Sequence, residues 1–174
     1  MAVEVAKVSY AKPVSGLTVQ MQQEFKQKAV ELLQSLIRKK GKDPADFVIR
    51  DVLPKTDIGL TNEEWSHSFS AAYTEETYFT KTLDDDNFLV VYGYANNYPT
   101  PKTLYMKLVR GSVPIKIVHT QAIHLQEVPM AFFEPEGWME GEKITVYVYG
   151  DSTGTDKPIP LSLFAEPKEE TISP

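Results

Sequence analysis

The stretch Ile144-Thr-Val-Tyr-Val-Tyr149 decides how this chain is read. Ile144, Val146 and Val148 alternate with Thr145, Tyr147 and Tyr149, and a period of two marks a strand with one buried face. Toward the C-terminus, Gly150-Asp-Ser-Thr-Gly-Thr-Asp156 reads as a loop, after which Ile159, Leu161 and Leu163 alternate again. Toward the N-terminus the same grammar repeats. Met130-Ala-Phe-Phe133 and Ala122-Ile-His-Leu125 are short strands, and Ile115 and Ile117 flank Lys116. Leu104, Met106 and Leu108 alternate with Tyr105, Lys107 and Val109. Phe88-Leu-Val-Val-Tyr-Gly-Tyr94 is a nearly continuous apolar run behind the polar break Asp84-Asp-Asp-Asn87. Thr77–Leu83, Trp65–Tyr73 and Phe47–Leu53 complete about nine strand candidates, the last stopped by Pro54. Prolines 99, 101, 114, 129, 135, 158 and 160 punctuate strand ends, as antiparallel connections require. No helical pattern of about 10–15 residues recurs between strands, so a βαβ reading fits poorly.

Upstream the period changes. Met21, Phe25, Ala29, Leu32, Leu33 and Leu36 recur at steps of three and four, which places them on one face of a helix over 18–40. Thr18 is its expected N-cap, and Gly41 takes the left-handed position past its end. Arg38, Lys39 and Lys40 complement the negative end of the dipole. Before the helix, Lys12-Pro13-Val14-Ser15-Gly16 is a turn-rich break, and residues 3–10 read as an edge strand or extended arm. The expected organisation is an arm over 1–16, one β domain over 17–165 that includes the helix, and a flexible tail over 166–174.

The 174 residues suit one domain, and 42% hydrophobic content can bury a core. A net charge of −6 argues against a surface built to grip phosphates, so no direct nucleic-acid contact is expected. The absence of cysteine excludes disulfides, thiol nucleophiles and thiolate metal sites. No apolar run reaches the roughly 18 residues of a membrane span. The opening residues lack the apolar core of a secretory signal.

Catalytic patterns are missing. His119 and His124 are five apart in strand-like sequence and point to opposite faces; His67 between Ser66 and Ser68 diverges from both. Glu63, Glu64, Glu75, Glu76, Glu134 and Glu136 lie in charged or turn-like stretches with nothing to bury one and raise its pKa. The chain is therefore not expected to be an enzyme, nor to carry a cofactor. Asp84, Asp85 and Asp86 are a calcium candidate on hard-oxygen grounds, but they lack the glycine and distal glutamate of an EF-hand loop.

Aromatics and charge suggest binding instead. Tyr92 and Tyr94 share a strand face in strict alternation, and Tyr98 follows Asn96 and Asn97. Trp138, in Glu134-Pro-Glu-Gly-Trp-Met-Glu-Gly141, reads as an exposed loop anchor. Residues 20–42 carry a net charge of +4 and residues 62–100 a net charge of −6, so a basic helix end can dock an acidic surface within or between copies.

The run Gly141-Glu-Lys-Ile-Thr-Val-Tyr-Val-Tyr-Gly150, leading through its glycine loop to Pro158-Ile-Pro-Leu-Ser-Leu-Phe164, resembles the small single jelly-roll major capsid proteins of tailless, membrane-containing icosahedral phages of thermophilic bacteria. The resemblance is one of size and style over about residues 47–165. It implies a mainly β single jelly roll or β-sandwich, preceded by an N-terminal strand and one long helix. It also implies a virion protein assembled in the host cytoplasm. The partners would be copies of itself and a second, larger capsid protein, with an internal lipid membrane nearby. Tyr10, Arg38, Lys39, Lys40, Tyr92, Tyr94, Tyr98 and Trp138 are the expected interface residues. The alternative is a carbohydrate-binding sandwich with Tyr92, Tyr94 and Tyr98 as its platform, which requires those rings to line an exposed groove.

Overall fold

A computed structural model describes residues 12–13, 19–96, 98–120 and 130–169. The expected arm over 3–10, Thr18, Asn97, the strand at 122–125 with His124, and the tail end from 170 lie outside them. The helix α1 (Val19–Lys39) forms as its period requires. Ala29, Leu33, Leu36 and Ile37 are buried along one stripe. Its end is a full C-cap: Gly41, at φ +74°, donates to Arg38 O at 2.9 Å, and Lys42 N donates to Ile37 O at 3.2 Å. Asp43 then caps a single 3-10 turn (Pro44–Asp46) by accepting from Ala45 N at 2.9 Å.

Eleven strands are described. Before the helix comes β1 (Lys12–Pro13), and after it β2 (Phe47–Asp51). A short helix α2 (Pro54–Ile58) precedes β3 (His67–Phe69), β4 (Glu75–Thr82), β5 (Phe88–Ala95) and β6 (Thr103–Arg110). The chain continues through β7 (Val113–His119), β8 (Met130–Trp138), β9 (Lys143–Gly150), β10 (Gly154–Asp156) and β11 (Ile159–Pro167). One sheet has the order β1-β8-β5-β11-β2, a second β4-β9-β6-β7, and β10 pairs with β3 in a small ribbon. Every pairing is antiparallel.

The two large sheets pack face to face over a core that includes Phe79, Leu89, Met106, Phe132, Trp138 and Val146. The helix closes the outer side of the five-stranded sheet over a second core with Phe47, Phe88, Val90, Leu163 and Ala165. β5 is therefore covered on both faces, which is why Phe88–Val91 is apolar at every position rather than alternating. Phe88 and Val90 face the helix while Leu89 and Val91 face the second sheet. Leu33, Leu36 and Ile37 contribute about 1.5–3 kcal/mol each by burial, so the helix is held by packing more than by propensity.

Several strand expectations change for identifiable reasons. Lys12 and Pro13 are not a turn but pair with Ala131 and Met130 at a sheet edge, where a proline forfeits no inner hydrogen bond. The strand expected over Trp65–Tyr73 shrinks to His67–Phe69, because Glu76 pulls the backbone N–H groups of Ser70 and Ala71 into a loop. The C-terminal strand runs on to Pro167, with Glu166 and Pro167 opposite Val48 and Phe47. Glu134-Pro-Glu-Gly is not a loop but lies within β8. There Gly93 opposes Ala131 and Val91 opposes Glu136, so residues 132–135 bulge opposite Tyr92 and Pro135 needs no ladder N–H.

The same irregularity reorients Tyr92. On the β11 side the register also slips, with Gly93 opposite Leu161 and Val91 opposite Ser162. One extra residue in β5 inverts the alternation, so Tyr92 packs under the helix and Tyr94 enters the inter-sheet core. They do not share a face.

Candidate interaction surface

The expected interface aromatics are mostly inside. Trp138 is 0% exposed, beneath the Arg110 guanidinium at 5.4 Å, and its Nε1 has no hydrogen-bond partner. Of the neighbours that made it look like a loop anchor, Pro135 lies in the β8 bulge and Gly137 is paired with Val90. Tyr94 is 4% exposed, and its hydroxyl accepts from Asn96 Nδ2 at 3.1 Å. Tyr98 is half-buried, with the Lys102 and Lys157 ammonium groups 5.2 and 6.0 Å from its ring. The three rings thus form no common exposed groove, and the sugar platform expected of them is not built. Tyr10 lies outside the described residues. Arg38, Lys39 and Lys40 are exposed at the helix end.

Just beyond them, Lys42 bridges Asp86 and Glu140, the latter at 3.0 Å, so one cation of the basic segment is held by acidic turns of its own chain. Asp86 sits at φ +65° in a turn, and Asp84 lies 3.6 Å from Lys81, so two of the three calcium-candidate carboxylates are engaged in ion pairs. Among the described residues, no cluster of three or more His, Asp or Glu side chains could hold a metal ion. His67 is held by Glu76 at 2.9 Å, and Glu76 also accepts from Ser70 and Ala71; this clamps a loop.

The long loops at one end of the sandwich are braced by Asp156, which is 0% exposed. Its carboxylate accepts from the N–H groups of Lys102, Thr103 and Lys157 at 2.8–2.9 Å, from Thr103 Oγ1 at 2.6 Å and from Asn96 Nδ2 at 3.0 Å. A pocket of about 210 Å³ beside β11 is lined by Lys26, Asp51, Trp65, Tyr92 and Leu161.

The outer face of the four-stranded sheet is different. Glu75, Tyr149, Tyr105 and His119 stand opposite one another in register, making one straight row across all four strands. Tyr105 and Tyr149 stack at 4.8 Å and 9°, and His119 meets Tyr105 edge-on at 6.0 Å. Tyr73, 64% exposed, stands 6.2 Å from Tyr149. In the next row, Lys107 Nζ lies 4.9 Å over Tyr147. Glu75 ties the rows together, accepting from Tyr105 Oη at 2.5 Å and Lys107 Nζ at 2.8 Å. Burial opposes ionisation of Glu75, but Lys107 and the Tyr105 hydroxyl outweigh it and hold the carboxyl below its ordinary range. Burial first, then the Glu75 carboxylate, pushes the Tyr105 phenol far above its usual value, so it stays a donor.

No family model matches this chain. No curated protein matches it either. The tyrosine row must therefore be judged on its chemistry. The rings stand on edge with their inner faces covering each other, so the row offers edges, hydroxyls and one ion pair. A sugar needs an open ring face, whereas a protein partner buries tyrosine edges well. The sequence already held the signal: the outward phase of Ile144–Tyr149 is Tyr147 and Tyr149, and Tyr105 occupies the same phase on its own strand.

Proposed function

We propose that the chain is a structural virion protein, a jelly-roll coat subunit that associates with copies of itself and with a second, larger capsid protein. The observation that carries this reading is the nesting of strand pairs. Counting β2, β4, β5, β6, β7, β8, β9 and β11 as first to eighth, the first pairs with the eighth and the second with the seventh. The third pairs with the sixth and the fourth with the fifth. The sheets then read 1-8-3-6 and 2-7-4-5, with β1 added at an edge. This order supports the jelly-roll reading, in which a strip of paired strands is rolled up, an architecture used by viral coats.

Two features support a building block over a catalyst or a solitary binder. The helix seals one sheet, and the other presents two tyrosines in a row between Glu75 and His119. A net charge of −6 suits a coat separated from its genome by lipid. Solution mass by light scattering across a hundredfold concentration range tests the reading. The expected result is growth from 19.6 kDa to a dimer or larger closed oligomer. A strict monomer at every concentration overturns it.

A further inference from the structure

We propose that two copies of this chain join face to face through the row Glu75–Tyr149–Tyr105–His119, about a two-fold axis parallel to the strands and passing between Tyr149 and Tyr105. The inference rests on the self-association in the preceding reading and names the surface responsible. The five-stranded sheet has its outer side filled by α1. No described element covers the corresponding side of the four-stranded sheet, where Tyr73 stands 64% exposed.

The occupant follows from the polarity of the row. It begins with a carboxylate, continues through two phenols and ends with an imidazole. A two-fold axis along the strands reverses it, so Glu75 meets the partner's His119 and Tyr149 meets the partner's Tyr105. Each contact then occurs twice, as an isologous interface requires. Lys107 and the Tyr105 hydroxyl take one bond at each Glu75 oxygen, and each oxygen keeps a second lone pair for an imidazole N–H. The stacked pair keeps the rings upright, so their edges are preorganised for the facing row. With the axis along the strands, both copies point their long loops the same way, which gives the pair an inside and an outside.

Four strands at about 4.8 Å and eight residues at about 3.3 Å make a face of roughly 500 Å². That is below the roughly 800 Å² per partner of a standard interface, so the isolated contact is expected on the order of 10–100 μM. Many such contacts in a shell sum by multivalency.

The test is sedimentation velocity on the full chain from about 1 to 500 μM, a span set by that expected affinity. Wild type is expected to shift from monomer to dimer. Glu75→Lys, which sets an ammonium against the partner's imidazole N–H, and His119→Glu, which sets two carboxylates against each other, are each expected to weaken association about tenfold or more. An equimolar mixture of the two restores it, because one substituted pair becomes a salt bridge and the other stays native. Circular dichroism confirms that each variant folds. Should Glu75→Lys unfold, proton NMR of wild type still reads the face. The ring signals of Tyr105 and Tyr149 move with concentration while those of Tyr98 stay fixed. Dimerisation untouched by either substitution, a mixture no tighter than its components, or unmoved Tyr105 and Tyr149 signals overturns this face and leaves the coat reading standing. A wild-type monomer at 500 μM, well above that affinity, overturns both.

Discussion

A Cβ on Gly137 would stand 2.5 Å from Cδ1 of Leu36, closer than real Cβ contacts ever come. The absent side chain on β8 lets the helix settle onto the sheet. Leu36 is itself buried, so it has little room to give way. Gly137→Ala is expected to cost about 1–3 kcal/mol by overpacking. In a Leu36→Ala background most of that cost disappears. Urea unfolding of the four proteins of the cycle measures the coupling; equal costs in both backgrounds would show that the helix does not rest on Gly137.

Asp156→Ala strips the acceptor from three backbone N–H groups, a threonine hydroxyl and an asparagine amide. With the carboxylate fully buried, the loss is expected at about 3 kcal/mol or more. Hydrogen exchange read by mass spectrometry should quicken first at 98–103 and 154–157. An exchange pattern raised evenly over the whole chain would contradict the brace.

The Asp86 N–H and then Lys42 hold the Glu140 carboxyl below its ordinary range. Its folded pKa lies under its unfolded one, so its contribution is complete above the ordinary carboxylate pKa and fades as pH falls through the folded value. Lys42→Met is expected to lower stability at neutral pH. It should also flatten the acid limb, so that the two curves converge at low pH. Curves that stay parallel would mean that Lys42 acts through packing alone.

Tyrosine titration offers an alkaline counterpart. Burial, with a smaller effect from Asp51, pushes Tyr92 up to about 12, and burial drives Tyr78 and Tyr94 higher still. Since these folded values exceed the unfolded value of about 10, stability is complete below it and declines as pH rises, by up to about 1.4 kcal/mol per unit for each group. Tyr92→Phe should remove an ultraviolet titration step near the value for Tyr92 and soften the decline. A tyrosine at this position titrating near 10 would place it in water.

What was legible in the sequence was local. The helix from Val19, the Gly41 stop and the Ile144–Tyr149 alternation each depend on neighbours a few residues away, and each stands where its period put it. The Tyr92–Tyr94 face failed because a single extra residue inverts a strand, and that bulge is set by β8 and β11 from across the sheet. Trp138 failed for the same cause, since Glu134-Pro-Glu-Gly is a loop by composition and a bulged strand by pairing. The Glu75–His119 row was visible residue by residue, but its straightness comes from the register between four strands, which no local pattern encodes.

The pairing of β2 with β11 joins segments more than a hundred residues apart, and β11 is also the neighbour of β5. On a ribosome, the final strand is therefore the piece that earlier strands wait for. Until residues 159–167 emerge, β2 and β5 hold unmatched backbone edges, and Phe88 and Val90 lack Leu163 and Ala165 beside them. The β6–β7 hairpin can form while synthesis continues, but the five-stranded sheet closes only once residues 159–167 are free to pair. A nascent chain of this kind stays exposed until β11 emerges, and truncation a few residues before Ile159 is expected to give an aggregation-prone polypeptide rather than a smaller domain.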